Sequence, residues 1–373
     1  MIRSALALTA LTVSTGVAQA GGIDRSGTPI DIIFEEGNYA TLSYGYADPS
    51  LTGVDQEGAN VRNIAASFGL VGVALKLDIA ENVSLAFILD EPYGVDVEYG
   101  PESAVLGGTL ADAESYGITT LVRYQATDRI SVYGGPRFVR AKGQINLGGS
   151  AYVLNGYESN FASDTGTGYV IGAAYEIPDI AFRAALTYHS EIDLSFDTTE
   201  TFPASAASIP FPLPTGVPVP TGTTNTTLPQ SIKLAVQSGI ATDTLVFGSV
   251  RWVDHDVFMV IPPVFPENLA SLDSSITYEL GIGRRFSERF SARASVIYED
   301  VLADDLVSPL TPTSGFTAMS IGGQYQLTEA LDISGGIRYT WLKDATAEVS
   351  DSVVGEFRNN DVVSFGLKLG VRF

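Results

Sequence analysis

The chain of 373 residues contains no cysteine, so no disulfide staples its backbone. It has only two histidines, His189 and His255. Together these absences exclude a metal centre of the usual His/Cys kind. No Walker loop or dinucleotide fingerprint occurs and the Gly-Gly pairs suit strands, so no cofactor is expected. Positive charge is scarce: 21 Lys and Arg stand against 43 Asp and Glu, a net charge of −22. That balance repels phosphates and excludes nucleic acid as a partner. Beyond residue 20 no run of 18 or more apolar residues appears, so no helix is expected to span a membrane. The uncharged stretch Thr201–Ile232 is long enough, but its prolines and threonines make it a loop. Asp254-His255-Asp256 is the one arrangement that invites an enzymatic reading. Neighbours on a strand point to opposite faces, so His255 and Asp254 would not share a site, and no serine or second acid is specified by spacing. No catalytic or metal-ligating residue, and no enzyme, is expected.

What is present begins with a leader. Arg3 gives a positive start, Ala5–Val13 is apolar, and Ala18-Gln19-Ala20 is a small-x-small cleavage site. Residues 1–20 thus read as a secretory signal peptide, with the mature chain starting near Gly21. Losing Arg3 with the signal takes the net charge from −22 to −23. The chain is 45% hydrophobic and 17% charged, with 38 glycines, 18 phenylalanines and 17 tyrosines. Glycine and aromatics at this level suit many short strands. A closed barrel is the strand architecture that can cross lipid, because closure leaves no backbone edge unpaired.

The C-terminus carries the clearest pattern. Val363, Phe365, Leu367, Leu369, Val371 and Phe373 alternate with Ser364, Gly366, Lys368, Gly370 and Arg372. A period of two sustained over this length matches a tilted strand crossing a lipid layer. The same alternation runs through Leu331–Trp341 and Phe290–Tyr298, with aromatics towards the strand ends. Short polar turns near Glu81, Thr127, Pro178, Thr242, Glu288 and Glu329 separate longer segments at Glu91–Ala111, Asn146–Asp164, Thr198–Pro229, Val260–Asp273, Ala303–Ser314 and Thr346–Asn360. Short turns on one side and long loops on the other describe an outer-membrane barrel with its turns in the periplasm. The expectation is an all-β, transmembrane antiparallel β-barrel of about 14 strands over residues 39–373. The strands fall near 39–48, 62–79, 81–91, 112–126, 129–145, 165–177, 180–197, 230–241, 243–258, 274–287, 289–300, 315–328, 330–345 and 361–373. Residues 21–38 are too short for a domain and are expected to form an N-terminal plug or hatch in the lumen, with Ile30, Ile32, Ile33 and Phe34 as its apolar contacts.

Three stretches carry a resemblance to a known family. They are Ala113–Arg140 (AESYGITTLVRYQATDRISVYGGPRFVR), Leu228–Trp252 (LPQSIKLAVQSGIATDTLVFGSVRW) and the hairpin Gly281–Asp300. With the short N-terminal segment and the aromatic end, they resemble the FadL family of outer-membrane transporters of long-chain fatty acids and aromatic hydrocarbons. That family's hatch usually carries Asn-Pro-Ala; here Gly21–Asn38 is shorter, lacks the motif and has Pro29 as its only proline. The resemblance implies passive uptake of a hydrophobic small molecule, captured by apolar extracellular loops and released sideways through the barrel wall. The loops carry candidate ligand contacts: Tyr93, Val95, Val97, Tyr99, Leu106 and Leu110 in one, Phe202, Phe211 and Leu213 in another. Such groups either bind ligand or pack the loops against one another. Among inward-facing cations, Arg338 would meet a ligand carboxylate or pair with acids such as Asp332 and Glu299. The resemblance also implies that terminal Phe373 is read by the barrel-assembly machinery, with lipid and lipopolysaccharide as surroundings and a monomeric barrel. The alternative is a water-filled porin for small polar solutes.

Overall fold

The computed structural model describes residues 23–204, 215–265, 267–270, 272–302 and 306–373. The signal sequence, Phe211 and Leu213 lie outside them. Fourteen antiparallel strands form the barrel. They are β1 (Tyr39–Ser50), β2 (Phe68–Ala80), β3 (Val83–Asp90, resuming as Gly94–Glu98), β4 (Leu110–Gln125), β5 (Ile130–Leu147), β6 (Tyr157–Ile177) and β7 (Phe182–His189, resuming as Ile192–Thr201). Then follow β8 (Val219–Leu228, resuming as Ser231–Ala241), β9 (Thr244–Val253), β10 (Ser275–Arg285), β11 (Phe290–Val301), β12 (Gly315–Gln326), β13 (Leu331–Leu342) and β14 (Asp361–Arg372). Each pairs with its sequence neighbour, and β1 closes on β14 from Tyr39↔Arg372 to Ser50↔Asp361. Closure leaves neither terminal strand with a free edge.

The alternation in sequence becomes two faces of one wall. Outward stand Leu42, Leu280, Ile337 and Leu367; Leu280 is 67% exposed, the state expected of a side chain that faces lipid rather than protein. Inward stand polar groups that satisfy one another. Tyr39 Oη donates to Asp332 at 3.1 Å, while Arg372 reaches Asp332 at 3.1 Å and Glu35 at 3.0 Å. Arg123 pairs with Glu176 and Lys76 with Asp78.

Strand number and order are those read from the sequence; some boundaries differ. Three long loops turn out to be partly barrel strand, because β3 resumes at Gly94–Glu98, β6 begins at Tyr157 and β8 already at Val219. The edge offered by Ile192–Glu200 recruits Val219–Leu228, whose threonines suit a pleated surface. In the other direction, β9 ends at Val253, and His255–Val257 is a single 3-10 turn.

On the loop side a separate five-stranded sheet packs over the barrel, made of Leu306–Val307, Ala345–Val349, Ser352–Phe357, Gly53–Asp55 and Asn60–Val61. Its core holds Leu51, Val61, Tyr99, Leu106, Val354 and Phe357.

Candidate functional site

The N-terminal segment runs inside the barrel. Its single 3-10 turn, Asp31–Phe34, sets Ile33 and Phe34 against Ala86, Leu121, Tyr133, Val170 and Ala185 on the inner faces of β3–β7. Phe34 meets the Tyr133 ring edge-on at 5.4 Å, and the Arg183 guanidinium lies over Phe34 at 4.3 Å. Ile30 is buried in the same cluster, with Ile32 at its margin. Burial pushes the Glu35 carboxyl above its ordinary value despite the neighbouring Lys368 and Arg372.

Higher up, the segment meets a fault in the wall. β2 pairs with β1 over Phe68–Lys76 but with β3 only from Val73 towards the turn. Phe68–Gly72 therefore has no ladder on its second side, because β3 breaks at Glu91-Pro92-Tyr93. Proline donates no hydrogen bond and ends the ladder there. The segment takes up the displaced backbone. Arg25 N–H donates to Pro92 O at 2.8 Å, Ser26 N–H to Glu91 O at 3.2 Å, and Gly94 N–H to Ile23 O at 2.9 Å. Glu91 itself accepts from Val71 N–H at 3.0 Å. Side chains fix the arrangement. Asp24 forms a buried ion pair with Arg251 of β9, Ser26 donates to Asp90, and Arg25 lies 4.1 Å over the Phe68 ring. Burial lowers the pKa of Arg25 despite the surrounding Asp96 and Glu91. It likewise lowers that of His255, whose Nε2 has no hydrogen-bond partner.

Two cavities flank this joint. Above it, an apolar cavity of about 750 Å³, counting its mouth, is lined by Ile23, Tyr93, Val95, Ile145, Phe161, Leu194, Phe196, Leu228, Phe258, Val260 and Leu310. Below it, a cavity of about 760 Å³ runs from lumen-facing Asp31, Glu35 and Lys368 past Ser26 to Val71, Val73 and Leu89 at the fault. A smaller space of about 690 Å³ between Arg25, Leu51, Phe68, Val95 and Leu342 adjoins the upper one, with Val95 and Gly94 common to both. The upper cavity can hold an apolar molecule by burial alone, having few polar groups to orient one. Among the described residues, no group of three or more His, Asp or Glu is placed to hold a metal ion.

The structure sorts the loop residues named from sequence. Tyr93 and Val95 line the upper cavity, and the Arg137 guanidinium stands 5.6 Å over the Tyr93 ring. Val97, Tyr99 and Leu106 are buried in the core beneath the five-stranded sheet, where Tyr99 Oη donates to Pro309 O at 2.8 Å. Phe202 is buried against Tyr157 at 5.4 Å, and Leu110 starts β4, partly buried. Arg338 faces the lumen near Glu279 and Arg293, apart from the residues of the apolar cavity. Sequence reasoning missed Phe161, Leu194 and Phe196, although Ile192-Asp193-Leu194-Ser195-Phe196-Asp197 shows their alternation plainly. It also missed the Asp24–Arg251 pair, which joins residues far apart in sequence.

A closed barrel with an internal N-terminal segment and a break in its third strand is a specific architecture, and the family described as outer membrane protein transport protein (OMPP1/FadL/TodX) matches residues 35–373. The chain belongs to this family. A FadL/TodX-family barrel resides in the bacterial outer membrane, and so does this one. A FadL homologue of Pseudomonas aeruginosa superposes with a TM-score of 0.75 at 14% identity, covering 96% of each chain. The Pseudomonas putida toluene transporter TodX gives 0.68 at 12% identity, covering 96% of this chain and 99% of its own. The Ralstonia pickettii toluene transporter TbuX gives 0.65 at 12%, covering 96% and 97%. At such identities the likeness is one of fold. A search of curated protein sequences returns no match.

Proposed function

We propose that the protein carries hydrophobic small molecules, long-chain fatty acids or aromatic hydrocarbons, passively across the outer membrane. The observation that carries this reading is the apolar cavity stacked on the fault between β2 and β3, with the N-terminal segment between them. An apolar solute enters the upper cavity, because transfer out of water favours burial against Phe161, Leu194 and Phe196. Displacement of Ile23–Ser26 joins the two cavities, and the solute leaves between Phe68–Gly72 and the break in β3. There it meets lipid rather than periplasmic water. The segment, held by Ile33 and Phe34, acts as the plug of residues 21–38 and disfavours an open aqueous porin. Tyr93 and Val95 are the contacts kept from the sequence reading; Arg338 is not among the residues lining the upper cavity. No catalytic step belongs to this reading. Its surroundings are membrane lipid and lipopolysaccharide, the barrel works as a monomer, and exposed Phe373 presents the end of β14 to the barrel-assembly machinery.

The test is uptake of labelled oleate and toluene by a deletion strain with and without complementation, beside single-channel conductance of the purified barrel. Uptake that depends on the gene, with small conductance, supports the reading. Unchanged uptake with free ion conduction would replace it with a porin.

A further inference from the structure

The wall has a second irregularity, four strands along from the first. β6 and β7 are laddered from Phe182↔Ile177 to His189↔Val170, and again from Thr198↔Phe161 to Thr201↔Glu158. Between these stretches, residues 162–169 and 190–197 lie opposite each other in unchanged register without a ladder. What bridges them is sparse. Ser190 N–H donates to Tyr169 O at 2.9 Å, Ser190 Oγ accepts from Tyr169 N–H at 2.9 Å, and the Asp164 carboxylate accepts from Ser195 N–H at 2.7 Å.

At this height three strands exchange their faces. Below it Tyr169 and Ile171, Leu186 and Tyr188, and Ile232 and Leu234 point outward. Above it, residues of the same parity point inward: Tyr157 and Phe161 on β6, Ile192 and Phe196 on β7, Thr226 and Leu228 on β8. The seam is closed by a side chain instead of a ladder. Ile192, 1% exposed, sits against Gly166 and Gly168. A Cβ on Gly166 would stand 2.4 Å from Ile192 Cγ2, so glycine is what admits it. Immediately inside lies the apolar cavity with Phe161, Leu194 and Phe196. Immediately below, Tyr169 and Tyr188, 5.9 Å apart, face outward as an interfacial aromatic pair. The seam thus opens at the height of the outer headgroups.

Parting a ladder in or near lipid leaves backbone groups unsatisfied, at several kcal/mol each. Parting this stretch breaks few backbone bonds. We propose that the seam between β6 and β7 is an inlet, through which hydrophobic solutes dissolved in the outer leaflet reach the apolar cavity without passing the loops. Ile192 is its shutter. This inlet rests on the transport function proposed above and adds the side from which the solute comes.

The test uses the absence of native cysteine. The pair Asp164→Cys and Ser195→Cys spans the seam, whereas Ala173→Cys and Leu186→Cys join the same two strands within the ladder. Each pair is linked with a short thiol-cleavable bis-maleimide in outer membranes, and folding is followed by heat-modifiable gel mobility. Toluene uptake is measured linked and after cleavage. The expected result is a fall of roughly threefold or more on linking the seam, restored on cleavage, with no change for the laddered pair. Equal uptake by the linked and cleaved seam overturns the inlet and leaves transport standing, as does an equal fall for both pairs. Uptake no higher than in the deletion strain, from unmodified protein, overturns transport and the inlet together. Ile192→Ala provides an independent measurement, with faster toluene uptake expected; unchanged or slower uptake with native mobility counts against the shutter.

Discussion

The strands from β9 to β14 and those from β2 to β8 are built to different rules. In the first group ladders run from turn to rim with a single irregularity, at the β8–β9 turn, and the lipid-facing apolar stripe stays on one face throughout. In the second, β3, β7 and β8 each break, and β6–β8 reverse their faces. Both cavities described above border the irregular strands. The regular half supplies a rigid frame. The irregular half gives up strand-to-strand hydrogen bonds, and the backbone of the N-terminal segment at one fault and the Ile192 side chain at the other take their place.

Substitutions can break or sharpen this contrast. The largest effect is expected at Arg251→Ala, which leaves Asp24 buried and unpaired and should cost ~3–5 kcal/mol. Urea unfolding of the refolded barrel measures it, and Asp24→Asn in addition should recover part of the loss. Next comes depth. Leu280→Arg on the regular half places a charge against lipid at ~2–4 kcal/mol, whereas Thr167→Arg beside the seam should cost no more than ~1 kcal/mol if that stretch lies at the interface. Equal costs would put the seam within the hydrocarbon. Ile33→Ala should loosen the N-terminal segment by ~2–5 kcal/mol locally, read as faster amide exchange over Ile23–Phe34 and larger conductance, with less change in global unfolding. The smallest effect concerns pH. Glu35 has its pKa raised by burial, so its protonated form is favoured in the folded state. That contribution is present below the ordinary carboxylate pKa and is lost as pH rises through the raised value. Glu35→Gln should flatten this part of the stability–pH curve; an unchanged slope would assign it to other groups.

The regular half was legible in sequence because its period-two pattern maps onto one fixed pair of faces. The strand count and the short turns followed from that. The end of the third strand near Glu91 was legible too, but its resumption beyond Pro92, at Gly94–Glu98, was not, since proline donates nothing to a ladder. The upper strand of β8 was hidden: Val219–Leu228 has two apolar residues, at its ends, and Pro220 within it. The cavity lining was hidden for a subtler reason. In β7 the apolar positions Leu186, Tyr188, Ile192, Leu194 and Phe196 keep one parity through the seam, so the pattern reads as one uninterrupted strand. The backbone at Ser190-Glu191 turns that stripe from lipid to lumen, and alternation carries no sign of which face is which. The loop residues Tyr99 and Leu106 illustrate the converse, since apolar composition does not separate a capture surface from the core of a cap.

The pairing of Ile23–Ser26 with the broken edge of β3 has a consequence for wetness. Those four residues satisfy the backbone groups of Glu91, Pro92 and Gly94. If they withdraw, these groups need water at once, because buried amides and carbonyls do not remain unpaired. The joint between the two cavities therefore hydrates as it opens and dries as it shuts. An apolar solute passing there displaces a transient column of water, so each passage is coupled to a brief leak.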